Sequence, residues 1–196
     1  MMMSSLLSKP LDSSKLRCGQ AGSQILEFGG AIFVFIACLI LPLIDLSIIP
    51  IKFGLGKSVV ANRVRQLAQS ETLSEAFKDH ATGTSFNQVL KGLGGIQIRS
   101  SSLALAIVSN KNVSHKVMIV RPGTIPKNWL PEGTESPCEY TLNLTVDVDI
   151  YPLFIVPLPE VKIPGLTGPL VLQYHEIALW ESLGRDPLTG EFYLNE

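Results

Sequence analysis

Few residues in this 196-residue chain have types and spacings that could do chemistry. The first group lies in Cys18-Gly19-Gln20-Ala21-Gly22-Ser23-Gln24-Ile25-Leu26-Glu27-Phe28, where a glycine, four residues and a carboxylate lead into a strongly apolar run. An ionised side chain at the centre of a bilayer costs roughly 2.5–3.5 kcal/mol, and less near the interface. Glu27 therefore needs either a partner or a purpose. In the first turn of a helix the macrodipole favours an anion, which is the simplest account of it. A second carboxylate, Asp45, interrupts the apolar run one turn after Pro42.

The other reactive types are scattered. His80, His115 and His175 have no neighbour at metal-ligand spacing, and neither H-x-x-x-H nor C-x-x-C occurs. Gly92-Leu93-Gly94-Gly95 lacks the Lys-Ser/Thr of a phosphate-binding loop, and there is no G-x-S-x-G. Asp147 and Asp149 share a strand face and could hold Ca²⁺ only with further oxygen ligands; they read as a solvated face. Cys18, Cys38 and Cys138 fall in three different regions and suggest no disulfide. No constellation supports an enzyme, a cofactor or a small-molecule substrate. The net charge of -1 is too balanced for a nucleic-acid binder, which carries a basic surplus.

The elements that must position Glu27 and Asp45 follow from hydropathy. Hydrophobic residues make up 46% and charged residues 17% of the chain, against about 25% charged in an ordinary domain. Mean hydropathy is +0.30. Phe28–Ile44 contains 17 residues without a charge, and the apolar character continues past Asp45 to Ile51. A membrane helix needs about 20 mostly apolar residues, so the stretch Ile25–Ile51 is long enough. A buried core helix of this length would show a polar stripe. A cleavable secretory signal has a shorter apolar region and a small-x-small site, which Pro42-Leu43-Ile44-Asp45 is not. Lys9, Lys15 and Arg17 precede the stretch against Asp12 alone, while Lys52, Lys57, Arg63 and Arg65 follow it. Both flanks are thus basic, and charge alone does not orient the helix. Pro42 and Pro50 can each kink it, and Gly54 and Gly56 read as a flexible joint.

Beyond the apolar stretch, Ser58–His80 shows apolar residues at near-helical spacing and reads as an amphipathic helix. A short helix follows over Ser85–Lys91, ended by Gly92. From Gly94 the period becomes two. Ile96 and Ile98 alternate with polar residues; Leu103–Val108 and Lys116–Val120 flank Asn110-Lys111-Asn112 as a hairpin. Trp129 reads as an anchor within the Pro- and Gly-rich loop 122–137. Over Tyr140–Ile150 even-numbered residues are apolar and odd-numbered ones polar, as in a sheet with one buried and one wet face. Pro152–Gly168 is a proline-rich apolar loop, and Leu170–Trp180 is a last strand. The expected architecture is α+β: leader 1–22, transmembrane helix 23–52, amphipathic helical segment 53–93, and a small antiparallel β domain over 94–196.

The junction at Gly22 resembles the processing site of type IV prepilins, closest to the tight-adherence (Tad/Flp) branch, where Gly, four residues, Glu and then Tyr or Phe recur. Leu41-Pro42-Leu43-Ile44-Asp45 is similar to the proline-and-aspartate end of the membrane helix in TadE-like pseudopilins. The tail, a strand, a proline-broken apolar loop and a final strand ending near Glu181, looks like their C-terminal half. The resemblance implies cleavage between Gly22 and Ser23 by a prepilin peptidase on the cytoplasmic face. Glu27 then becomes the fifth mature residue, and Phe28 completes the recognition pattern. It also implies that Glu27 pairs with the terminal amine of a neighbouring subunit, offsetting the cost of burying one charge. Asp45 would lie at headgroup level or form a contact between packed helices. The implied role is a minor pilin in pilus biogenesis and surface adhesion, in the bacterial inner membrane with its C-terminal domain periplasmic. Its partners would be the peptidase, an inner-membrane platform, other major and minor pilins, and membrane lipid. The alternatives are a single-pass anchored binding module of the cell envelope, and a type II secretion pseudopilin, against which Pro42, Asp45 and Pro50 argue.

Overall fold

The computed structural model describes residues 27–111, 114–155 and 162–195. The chain divides into two compact units between Ile44 and Asp45. One helix, α1 (Glu27–Ala68), has its first residues in the N-terminal unit and the remainder in the second.

In the first unit α1 contains a π-helical stretch, Ile36–Ile40, closed by a bond from the Leu41 N–H to the Ile36 carbonyl. It ends two residues before Pro42. Proline has no N–H, and its ring crowds the carbonyl four residues back, so a locally wider turn relieves the clash. Pro50 lies within the helix as well.

The second unit is α+β. After α1 come α2 (Leu73–Thr82) and α3 (Thr84–Gly92), then β1 (Ile96–Ser109), β2 (Lys116–Ile119), β3 (Cys138–Ile150) and β4 (Leu170–Leu179). The strands form one antiparallel sheet in the order β2-β1-β3-β4. Its inner face and the helices enclose a single core.

The helical layer differs from the sequence expectation. No new helix starts at Ser58, because α1 runs through it and through Gly54 and Gly56. The Ser58 hydroxyl donates back to the Leu55 carbonyl at 2.8 Å, satisfying itself within the helix rather than capping a new one. The break falls instead after Ala68. There Thr72 caps α2 by accepting from the Glu75 N–H at 3.2 Å, the Ser/Thr-x-x-Glu arrangement of a capping box. The end of α1 is tied to the chain after β4: the Glu181 N–H donates to the Ala68 carbonyl at 3.3 Å, and the Ser182 hydroxyl to the Ser70 carbonyl at 2.9 Å.

The sheet follows the sequence more closely. In β3, Tyr140, Leu142, Leu144, Val146, Val148 and Ile150 are all buried. The segments expected around Ile96–Ile98 and Leu103–Val108 are one continuous strand. A bulge between Ile98 and Ser100 places Arg99 as an extra residue against β3. An extra residue shifts the inward phase by one, so Ile96 faces the core before the bulge and Leu103, Leu105 and Ile107 after it. Trp129 is half-buried against the core, and its carbonyl accepts from the Tyr140 hydroxyl at 2.8 Å.

The buried stripe of α1 consists of Asp45, Lys52, Gly56, Val60, Val64, Leu67 and Ala68. Gly56 sets how closely the helix approaches the sheet. A β-carbon there would lie 2.8 Å from Tyr174 Cζ and would overlap the hydroxyl. The Tyr174 ring stacks on Phe53 with centroids 5.1 Å apart. Around Gly54 a β-carbon would meet nothing within 4 Å. Gly56→Ala is therefore expected to destabilise the chain by about 1–3 kcal/mol through overpacking. Gly54→Ala should be neutral or stabilising by up to about 1 kcal/mol, since alanine is the better helix former. Thermal unfolding of the two variants in detergent checks this; equal midpoints would contradict it.

Candidate functional site

Glu27 is helical and exposed, and Phe28, the next residue, is 69% exposed. Phe33, Val34, Phe35 and Leu39 also turn their side chains outward. The most apolar 18-residue window of α1 has a mean hydropathy of 2.8 and is only 6% buried. This is the reverse of a core helix, whose apolar side chains turn inward. By length and composition α1 is able to cross a membrane. Gly22 and Ser23 lie outside the described residues.

At Asp45 the helix changes character. The sequence places this carboxylate at headgroup level or between helices; the structure gives it a partner that neither account names. Asp45 is 1% exposed. Its Oδ1 accepts from the Leu153 N–H at 2.7 Å, and both carboxylate oxygens lie 3.3 Å from the Phe154 N–H. Two turns on, Lys52 is 7% exposed and its Nζ donates to the Tyr151 carbonyl at 2.9 Å. The Tyr151 N–H in turn donates to the Gly95 carbonyl at 2.7 Å. Gly95 has φ 75°, and a β-carbon there would press within 3.1 Å of the Lys52 Nζ and 3.3 Å of the Tyr151 carbonyl. A side chain at this position would strain the backbone and crowd the bond. The two buried charges thus hold the chain leaving β3 against α1, each through backbone groups.

A buried ionised group is tolerated only when its hydrogen-bonding capacity is met, and backbone donors and acceptors meet it here. The signal was present in the sequence. The spacing of Asp45, Lys52, Gly56, Val60 and Val64 puts them on one helical face. Lys52 reads there as a flanking charge because nothing local names its partner, a carbonyl 99 residues away.

The remaining candidates are spoken for separately. Asp147 accepts from the Ser100 hydroxyl at 2.5 Å and from Gln173 Nε2 at 2.8 Å. Those two bonds, Ser100 first, hold its carboxyl below the usual range. Arg99 pairs with Asp149 at 3.0 Å. The two aspartates are therefore tied into a polar ladder across the outer face of the sheet. His80 lies 3.5 Å from the Ser101 hydroxyl, and burial, then the charge of Arg63, pushes its pKa down. His115 lies 3.6 Å from Glu135, and His175 Nδ1 lies 3.1 Å from the Thr145 hydroxyl. Burial, then Glu135, raises the pKa of Cys138, whose Sγ donates to the Glu135 carbonyl at 3.4 Å. Among the described residues no group of three His, Cys, Asp or Glu side chains could hold a metal ion. A recess of about 340 Å³ is bordered by Lys127, Glu132, Arg185 and Phe192. There Arg185 is already paired with Glu132 and lies over the Phe192 ring.

The described chain is thus an α+β protein whose long N-terminal helix is apolar and outward-facing at one end and packed against an antiparallel sheet at the other. Comparison with protein families, with curated proteins and with solved structures finds no match to it.

Asp45→Ala is expected to strand two backbone N–H groups at a cost of about 1–3 kcal/mol for each one left unpaired. Asp45→Asn, which keeps an acceptor oxygen, should cost less. Amide hydrogen exchange at Leu153 and Phe154 checks this: faster exchange in the alanine variant is expected, and unchanged protection would contradict it.

Proposed function

We propose that this chain is a TadE-like minor pilin, a non-enzymatic membrane subunit of a tight-adherence pilus machine. In this reading residues 1–22 are a cytoplasmic leader removed by a prepilin peptidase between Gly22 and Ser23. α1 anchors the mature chain in the bacterial inner membrane, and the sheet domain faces the periplasm, where it acts in pilus biogenesis or priming and in adhesion. Its partners are the peptidase, the inner-membrane platform and other pilins.

The observation that carries the reading is the outward apolar surface of α1, which begins directly after Glu27. Apolar helical surface of this kind is stable only when lipid or other helices cover it. A subunit that waits in a bilayer and then packs helix against helix in a fibre needs both kinds of cover in turn. Glu27, at the start of that surface, has the chemistry to pair with a positive amine when its surroundings turn from lipid to protein. Gly22, Phe28 and the basic leader support the same reading through their order along the chain.

Glu27→Ala is expected to leave the protein inserted in the membrane, extracted by detergent and not by alkaline carbonate, yet absent from sheared fibres and unable to support normal piliation. Incorporation and piliation at the wild-type level would overturn the assembly role of Glu27.

A further inference from the structure

A set of apolar side chains lies beside the Asp45 clamp and is used by nothing else in the fold. Leu153, Phe154 and Ile155 are 53%, 44% and 66% exposed, although they follow a strand that buries every second residue. Leu46, Ile51 and Leu55 on α1 are exposed as well. Besides the Lys52–Tyr151 bond, two contacts fix this level of the helix to the chain between β3 and β4. One is Asp45 with the Leu153 and Phe154 N–H groups. The other is Gly165, where a β-carbon would lie 2.9 Å from Ile49 Cδ1.

We infer that Leu153–Ile155, together with Leu46, Ile51 and Leu55, seats the folded unit in the interfacial layer of a phospholipid bilayer, on the leaflet from which α1 emerges. The inference rests on the reading of α1 as a membrane helix and adds to it a second, non-helical membrane contact.

Three observations support lipid as the occupant. The first is position: counted from Phe28, the about 20 residues that cross a hydrocarbon core end near Ser47. The loop pinned at Asp45 therefore falls at the acyl–headgroup boundary. The second is backbone satisfaction. Non-helical backbone is excluded from the apolar layer unless its polar groups are paired, and here the Leu153 and Phe154 N–H groups are taken by Asp45, and the Tyr151 carbonyl by Lys52. The third is charge. With Asp45 and Lys52 buried, no charged side chain is exposed on α1 from Phe28 to Gly56. The next exposed basic groups, Lys162 and Lys57, follow the two parts of the apolar set in sequence; Lys57 also pairs with Glu176 at 3.6 Å, which leaves Lys162 as the ammonium placed to reach a lipid phosphate while its stem stays apolar.

The test uses the full chain in phosphatidylcholine vesicles doped with lipid brominated either near the headgroup or near the acyl-chain ends. Phe154→Trp is compared with Phe35→Trp, and the native chain, with Trp129 and Trp180, supplies the baseline. The emission added by Phe154→Trp is expected to be largely quenched, more by bromine near the headgroup. That added by Phe35→Trp should respond more to deep bromine. Phe154→Trp unquenched while Phe35→Trp is quenched would overturn the inference and leave the membrane helix standing; a protein partner or second copy would then be the occupant. Quenching of neither would remove the membrane helix and the inference with it. Ile155→Trp reads the same depth should Phe154→Trp fail to fold.

Discussion

A carboxylate and an ammonium, seven residues apart on one helix, both have to be removed from an otherwise apolar surface. Unpaired, each would cost several kcal/mol to bury. They are not paired with each other, since seven residues along a helix are about 10 Å. Instead both are spent on the backbone leaving β3: Lys52 on the Tyr151 carbonyl, and Asp45 on the Leu153 and Phe154 N–H groups. Several features depend on that arrangement. The second half of α1 docks on the sheet, Gly56 can meet Tyr174, and Gly95 must carry a positive φ so that its backbone can approach Tyr151 and Lys52.

Some of this was legible in the sequence. The strict alternation of Tyr140–Ile150 identified β3 and its buried face, because a strand with one wet face leaves a period-two record. The uncharged run Phe28–Ile44 likewise marked the outward helix. The bulge in β1 was not legible. Ile96 and Ile98 obey one phase and Leu103 to Ile107 the other, and a period that changes phase within a strand reads as two separate segments. The continuity of α1 through Ser58 was hidden for a related reason. The apolar pattern changes there from all-round to one-sided, which reads as a new element, although the backbone is indifferent to the change. The true end of the helix had a visible marker, the Thr72–Glu75 capping box.

The clamp was the least legible part, because its partners are backbone groups about a hundred residues away. Backbone groups carry no residue identity, so no motif announces them. The side chains with evident chemistry, the three histidines and the Asp147–Asp149 pair, are instead occupied one by one in local contacts. Apolar side chains remain exposed on α1 and beside Asp45. A protein that works by being covered, by lipid or by its neighbours, would present such a surface.

The proposal turns on whether the leader ends at Gly22. The most direct measurement is the mass of the N-terminal peptide after expression with and without a prepilin peptidase. A chain that starts at Ser23 only when the peptidase is active is the predicted result, and it makes Glu27 the fifth residue of a chain with a free amine. An intact N-terminus beside a peptidase that processes a control pilin would contradict assignment to the pilin class.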